Sequence, residues 1–159
     1  NMYNAFGAYI KKKKDCQGKS GCFAEKYLYI NGTEWEDNIN TAPHRYKIIT
    51  NDGMSMAFHA YSHDCSKIQE DSDLRPICGL VFVDINGPNK GKNMMGDDLF
   101  AFDLTEDGIF PHGAATDTCL HQHCMVAGLH CTKWVIENEN KEYLKCKDLS
   151  WGGKTKCNK

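Results

Sequence analysis

Nine cysteines in a chain of 159 residues are the feature that most constrains how this sequence can fold. They are too few for a small scaffold held together only by disulfides, in which cysteine exceeds about 8% of the residues. They are many for a cytosolic protein, where thiols stay reduced and are usually catalytic or metal-bound. A chain of this length buries roughly 70% of its unfolded surface, so a hydrophobic core can form as well. The sequence therefore predicts a single domain over residues 1–159, with cysteines that form disulfides or bind a metal.

Charge and motif content disfavour several classes of function. The formal net charge of -2 gives no basic field that would hold nucleic acid. The longest strongly apolar run, near residues 78–83, is far shorter than the ~20 residues that a membrane-spanning helix needs. The sequence contains no serine nucleophile elbow, zinc-protease helix motif or glycine-rich phosphate loop. No catalytic residue is assigned, and we expect a protein that is not an enzyme.

Hydrophobic periodicity predicts an α+β fold. Apolar residues from Met2 to Ile10 recur at helical spacing, and Lys11–Lys14 suit the C-terminal end of a helix dipole. Alternating and apolar runs then predict strands, with an Asp-Gly hairpin signal between the first two. Because the connections are short, the sheet is expected to be antiparallel, with the N-terminal helix packed against it. The predicted strands are Tyr46–Thr50, Met54–Tyr61, Gly79–Ile85 and Leu99–Leu104, with Ile109 and Phe110 as a continuation.

The cysteine positions favour three disulfides, Cys65–Cys78, Cys146–Cys157 and Cys16–Cys22. The first pair flanks two predicted strands, so that its α-carbons could lie within the ~4.4 to 6.8 Å that a disulfide requires. Two of the remaining three cysteines can pair, and one stays unpaired because the count is odd. The sequence alone does not decide which pairs form. The three remaining cysteines are Cys119, Cys124 and Cys131.

The segment Cys119–Cys131 also suggests zinc, because it contains His121, His123 and His130. Zinc is usually held by four Cys or His ligands arranged as two close pairs. The spacing in this segment does not give two Cys-x-x-Cys pairs. Disulfides with histidines at the surface are therefore the preferred interpretation, and zinc is the alternative.

The second half of the chain carries an ordered set of motifs. They are Val-Asp-Ile-Asn-Gly-Pro-Asn at 83–89, Gly-Asp-Asp-Leu-Phe-Ala-Phe at 96–102 and Asp-Gly-Ile-Phe-Pro-His-Gly at 107–113. Together with segments 131–136, 143–146 and 151–157, they resemble the soluble domains of bacterial type IV pilin-like proteins, including the pseudopilins of type II secretion. The resemblance extends from Ile77 to Cys157, about half of the chain.

This resemblance implies a structural subunit, a pilin or pseudopilin, of a type IV pilus or type II secretion filament. Such proteins pack a long N-terminal helix on an antiparallel sheet, and residues 1–14 would be the remnant of its soluble half. The apolar part of that helix anchors the subunit in the inner membrane before assembly. The implied partners are other pilins in a homo- or hetero-oligomeric filament. The implied location is extracytoplasmic, in the periplasm or at the cell surface, where disulfides form.

Some members of this family bind calcium in a loop near the sheet, which makes Asp84, Asn86 and Asp98 the candidate calcium ligands here. They supply hard oxygen atoms at the two ends of the loop 86–98. The alternative is structural. In it, Asp84 and Asn86 form an Asx-type turn and Asp98 accepts a hydrogen bond from a backbone N–H.

A different class of function is also consistent with the sequence. A secreted, disulfide-bonded binding module would use aromatic side chains to hold a carbohydrate or a protein. The three tryptophans, Trp35, Trp134 and Trp151, are the candidate binding residues in that case.

Overall fold

The structure, a computed structural model, describes residues 8–68 and 75–158. Its main element is a six-stranded antiparallel sheet. From one edge to the other, its strands are β1 (Lys12–Gln17), β2 (Tyr46–Thr50), β3 (Ser55–Ala60), β6 (Gly79–Asp84), β7 (Leu99–Thr105) and β8 (Gly108–Pro111). Strands β4 (Lys67–Ile68) and β5 (Pro76–Ile77) form a separate two-stranded ribbon. The predicted antiparallel sheet is confirmed, and all five strands expected from periodicity are present.

The strand register sorts apolar side chains onto both faces of the sheet. On one face, a single row crosses four strands, because residues directly opposite each other in antiparallel strands share a face. This row consists of Ile48, Met56, Val83 and Phe100. The opposite face carries the row of Ala57, Phe82 and Ala101, which packs under the long segment between β1 and β2. The sheet therefore has an apolar layer on both sides.

The helices of the structure lie between residues 117 and 144. Three short α-helices, α1 (Asp117–Cys119), α2 (Met125–Ala127) and α3 (Thr132–Asn138), are joined by a π-helical turn and a 3-10 turn. Thr132 attaches α3 to the sheet, since its hydroxyl oxygen accepts a hydrogen bond from the backbone N–H of Ala101 in β7 at 3.1 Å. The helices enclose their own buried cluster, with Trp134 and Tyr143 at its centre. No helix within 8–68 and 75–158 has the length and apolar character to cross a bilayer.

The predicted N-terminal helix is wrong for its described part. Residues 8–10 form a turn, and Lys12–Gln17 is the edge strand β1, paired antiparallel with β2. A run of lysines fits either assignment, because lysine also protects the exposed edges of sheets. As a strand, the segment also pairs with the backbone groups at the edge of β2, which a helix at this position would leave without these partners. Residues 1–7 of the predicted helix lie outside the described residues.

Four disulfides stabilise the fold, Cys16–Cys22, Cys65–Cys78, Cys124–Cys131 and Cys146–Cys157. Three of them are the pairs that the sequence favours, and the fourth joins two of the three cysteines that the sequence leaves open. Cys119 lies outside these pairs and is buried, with its sulfur accepting a hydrogen bond from the backbone N–H of Ala114. Several disulfides in one chain indicate an oxidising, extracytoplasmic environment.

Candidate functional site

The predicted calcium ligands lie together at the end of β6. The carboxylate of Asp84 is completely buried, and its Oδ1 accepts hydrogen bonds from the backbone N–H groups of Asn86 at 3.0 Å and Gly87 at 2.9 Å. Its Oδ2 accepts a hydrogen bond from the hydroxyl group of Tyr27. Burial raises the pKa of Asp84, and the donors from Tyr27 and the backbone oppose that shift. Asp84 thus organises the start of the loop 86–98 as the centre of an Asx-type turn.

Asp98 closes the other end of the same loop. Its Oδ2 accepts hydrogen bonds from the backbone nitrogens of Lys92, at 2.7 Å, and Met94, at 3.3 Å. Its Oδ1 accepts a hydrogen bond from Nδ2 of Asn86 at 2.6 Å. A Cβ at Gly91 would lie 2.7 Å from Asp98 Oδ1, so the loop requires glycine there. These contacts match the structural alternative for the three residues.

No metal centre is recognisable in the part of the chain that the structure describes, where no group of three or more His, Cys, Asp or Glu side chains is arranged around one point. The calcium site stays a prediction. In the zinc alternative, Cys124 and Cys131 cannot supply thiolates while they are joined to each other. The histidines beside them, His123 and His130, pack with tilted rings whose centroids are 5.2 Å apart, and His130 packs in the same tilted way against the buried His112.

The tryptophans proposed as a binding platform are largely part of the packing. Trp134 is only 1% exposed, and Trp151 packs edge-on against it with ring centroids 5.0 Å apart. Trp35 packs against Phe82 and beneath the guanidinium of Arg45. The buried ring of Trp134 offers no face to a ligand.

The best candidate for a functional surface is an apolar groove of about 510 Å³ beside the first face of the sheet. Its floor is formed by Val83 of β6 with Phe100 and Phe102 of β7. Helix α3 forms the opposite wall with Val135 and Ile136. The groove is completed by Met54, Ile85, Thr132, Glu139, Asn140 and Lys141. We call this surface the apolar groove.

Large apolar side chains are exposed along the apolar groove. Ile136 is 56% exposed and Ile85 46% exposed, while Val83, Phe102 and Val135 are half-buried. Such a continuous apolar surface on a folded chain marks a place where another apolar element packs. Its charged residues, Glu139 and Lys141, lie together at one end, just beyond α3, where the chain turns through a left-handed residue at 139.

The sequence predicts the strands that form the floor of the groove, and it misses the groove itself. The residues of the groove are spread from Met54 to Lys141, and only the sheet register and the placement of α3 bring them together.

Comparisons with known proteins identify no relative of this chain. No protein-family model, no curated protein and no solved structure matches it.

Proposed function

We propose that this protein is a structural subunit of an extracytoplasmic filament of the type IV pilin-like class, and that the apolar groove receives an apolar helix of a neighbouring subunit. In this proposal an N-terminal helix anchors the subunit in the inner membrane before assembly. The observation that carries it is the groove itself, a mostly apolar channel between the sheet and α3 with exposed isoleucines on both sides. The motifs at 83–113 are the second line of support.

The geometry of the groove suits a helix better than a small molecule. Its floor is a row of side chains across adjacent strands, and its wall is the seven-residue helix α3. Helices pack at interaxial distances of 8–10 Å through such apolar ridges. The side chains at the groove leave no hydrogen-bonding pattern that would orient a small polar ligand.

The four local disulfides suit a subunit that folds before it assembles. Each one that closes a loop of this size stabilises the fold by roughly 2 to 4 kcal/mol without a partner.

Charged substitutions at the rim of the groove test the proposal. Ile136→Asp and Ile85→Asp change exposed side chains, so the isolated domain keeps its melting temperature. Each substitution removes an aliphatic contact worth about 1.5–3 kcal/mol when buried, and we expect subunit association to weaken about 10- to 100-fold. The measurement is the fraction of the protein, expressed in its native cells from its complete gene, that sediments with sheared surface filaments.

Val126→Asp is the matched control, because Val126 is similarly exposed, at 49%, and does not line the groove. This variant assembles as the wild type does. Equal filament fractions for Ile136→Asp, Val126→Asp and the wild type would contradict the proposal. So would a complete gene that encodes no apolar helix of about 20 residues before this domain.

A further inference from the structure

The edge of the sheet at β1 carries a dense group of positive charges. Lysines occupy positions 11–14, all of them exposed, and Lys19 follows on the loop after the strand. Up to this residue the sequence holds five lysines and one acidic residue, Asp15, which gives a formal charge of +4. Because the whole chain carries a net charge of -2, the remaining residues carry -6. A charge separation of this kind indicates contact with an anionic partner. We call residues 11–14 and 19 the lysine edge.

Most of the charge on the lysine edge is available to a partner. Lys12 forms an ion pair with Asp15 at 2.8 Å. The Nζ of Lys14 donates to the carbonyl of Gly21 at 2.7 Å, a bond to a neutral group that leaves the charge in place. The lysines of this edge that form no ion pair with a described side chain are Lys11, Lys13 and Lys19. Asp52 lies on the adjoining turn, and with it counted the surface keeps a net charge of +3.

The backbone of the lysine edge is held in place at both ends. The disulfide Cys16–Cys22 closes the loop that carries Lys19, and the backbone N–H of Lys19 donates to the carbonyl of Cys16 at 2.8 Å. At the other end, Ile10 packs against the buried cluster that contains Ile48. A fixed backbone keeps the lysines along one line and reduces the ordering that binding requires.

Protection of the sheet edge does not account for so many lysines. Strand β1 pairs with β2 with two irregularities in register, one between Lys12 and Lys14 and one between Asp15 and Gln17. Irregularities of this kind already discourage pairing with a further strand, and a single charged side chain adds to the effect. The lysine run therefore exceeds what protection of the edge requires.

Tyr9 indicates which kind of anionic partner fits the lysine edge. This residue is 89% exposed, two positions before the first lysine. Tyrosine rings are enriched at the headgroup level of bilayers, and lysine lays its aliphatic stem on apolar surface while its ammonium group stays in water. A six-residue strand is about 20 Å long, and a flat surface can contact it along its whole length. A polyanion in solution would use the lysines and leave the exposed tyrosine without a role.

We propose that the lysine edge binds the surface of a bilayer that contains anionic phospholipids, with Tyr9 at the level of the headgroups. The contact orients the domain with β1 towards the lipid. Each lysine close to an anionic membrane favours binding about fivefold, so several lysines acting together give measurable binding that depends on salt. This contact is independent of the filament role proposed above.

The test is co-sedimentation of the 159-residue chain with lipid vesicles. One set of vesicles is phosphatidylcholine alone, and the other contains roughly 30% phosphatidylglycerol. We expect binding to the anionic vesicles only, at about 0.1 M salt, and release at about 1 M salt, where charges are screened within ~3 Å. Lys11→Gln combined with Lys13→Gln weakens binding about 25-fold. Tyr9→Ser weakens it severalfold without a change in charge.

Lys145→Gln combined with Lys156→Gln is the matched control. Both side chains are exposed, the change in net charge is the same, and they flank the disulfide Cys146–Cys157, which packs against the helical cluster instead of β1. This variant binds as the wild type does.

The proposal is overturned if the chain sediments equally with neutral and anionic vesicles, or with neither. It is also overturned if the variant at 11 and 13 binds as tightly as the control variant. Binding to soluble polyglutamate that is as tight as binding to the anionic vesicles, and that Tyr9→Ser leaves unchanged, would assign the lysine edge to an acidic polypeptide and overturn the bilayer as its partner. Failure of this experiment leaves the assembly test with Ile136→Asp unaffected.

Discussion

Replacing Tyr27 with phenylalanine tests how the loop 86–98 is held in place. The Tyr27 hydroxyl is the side-chain donor to the buried carboxylate of Asp84, whose other oxygen accepts two backbone N–H groups. Tyr27→Phe leaves Oδ2 of Asp84 buried without that donor. A hydrogen bond to a charged group contributes about 1.5–3 kcal/mol. We expect a loss of about 2 kcal/mol at neutral pH, which lowers the melting temperature of a domain of this size by roughly 4–8 °C.

The loss depends on pH with a defined sign. Burial raises the pKa of Asp84 above its unfolded value of about 3.9, and the Tyr27 hydroxyl opposes this shift. Removal of the hydroxyl therefore raises the pKa of Asp84 further. A carboxyl group with a raised pKa in the folded state favours folding when protonated, so stability falls as pH rises from about 3.9 through the folded pKa. The loss of unfolding free energy in Tyr27→Phe is therefore small in acid, and it reaches its full size at pH values above the folded pKa of Asp84.

Urea unfolding at a series of pH values from about 3 to 8 measures this difference. Tyr29→Phe is the control, because Tyr29 packs against the same buried cluster and its hydroxyl bonds to no described residue. It is expected to change stability by less than about 0.5 kcal/mol. A Tyr27→Phe loss that is the same at every pH, or no larger than that of Tyr29→Phe, would refute the assignment of this hydrogen bond.

Three further results are expected. The melting temperature is the same with calcium and with chelator, because the carboxylates of Asp84 and Asp98 already accept hydrogen bonds from groups of the protein. A rise of several degrees with calcium alone would show that calcium binds at these residues. Thr132→Val leaves the N–H of Ala101 buried without an acceptor and lowers the urea unfolding free energy by about 1–3 kcal/mol, and a change below about 0.5 kcal/mol would mean that α3 is not attached in this way. Peptide mapping without reductant recovers the four disulfide-linked pairs Cys16–Cys22, Cys65–Cys78, Cys124–Cys131 and Cys146–Cys157. A peptide that joins Cys119 to another cysteine would contradict this pairing.

The sheet was predictable from the sequence because its signals are local. Alternation in the segment Met54–Tyr61 and the turn at Asp52-Gly53 are properties of neighbouring residues, and both appear as expected in β3 and in the turn before it. The lysine run at 11–14 carried no such information. Lysine suits the last turn of a helix and the edge of a sheet equally well. The choice depends on whether a free strand edge lies nearby, which is a property of the fold.

The apolar groove could not be predicted from the sequence. It requires that α3 lie beside β7. These two segments are not adjacent in the chain, and their spacing does not mark a motif. The tryptophans were the stronger sequence signal, but Trp134 is buried in the core, and Trp35 and Trp151 are partly buried against the clusters beside them.

The central claim, that the apolar groove receives a helix of a neighbouring subunit, is tested most directly by photo-crosslinking in native cells. The complete protein carries benzoylphenylalanine at position 136 in the groove or, as control, at the exposed position 126 outside it. Illumination is predicted to link position 136 to a second subunit, with the cross-linked peptide lying in an apolar helix. The claim is contradicted if position 136 gives no subunit cross-link, or if positions 126 and 136 give the same products.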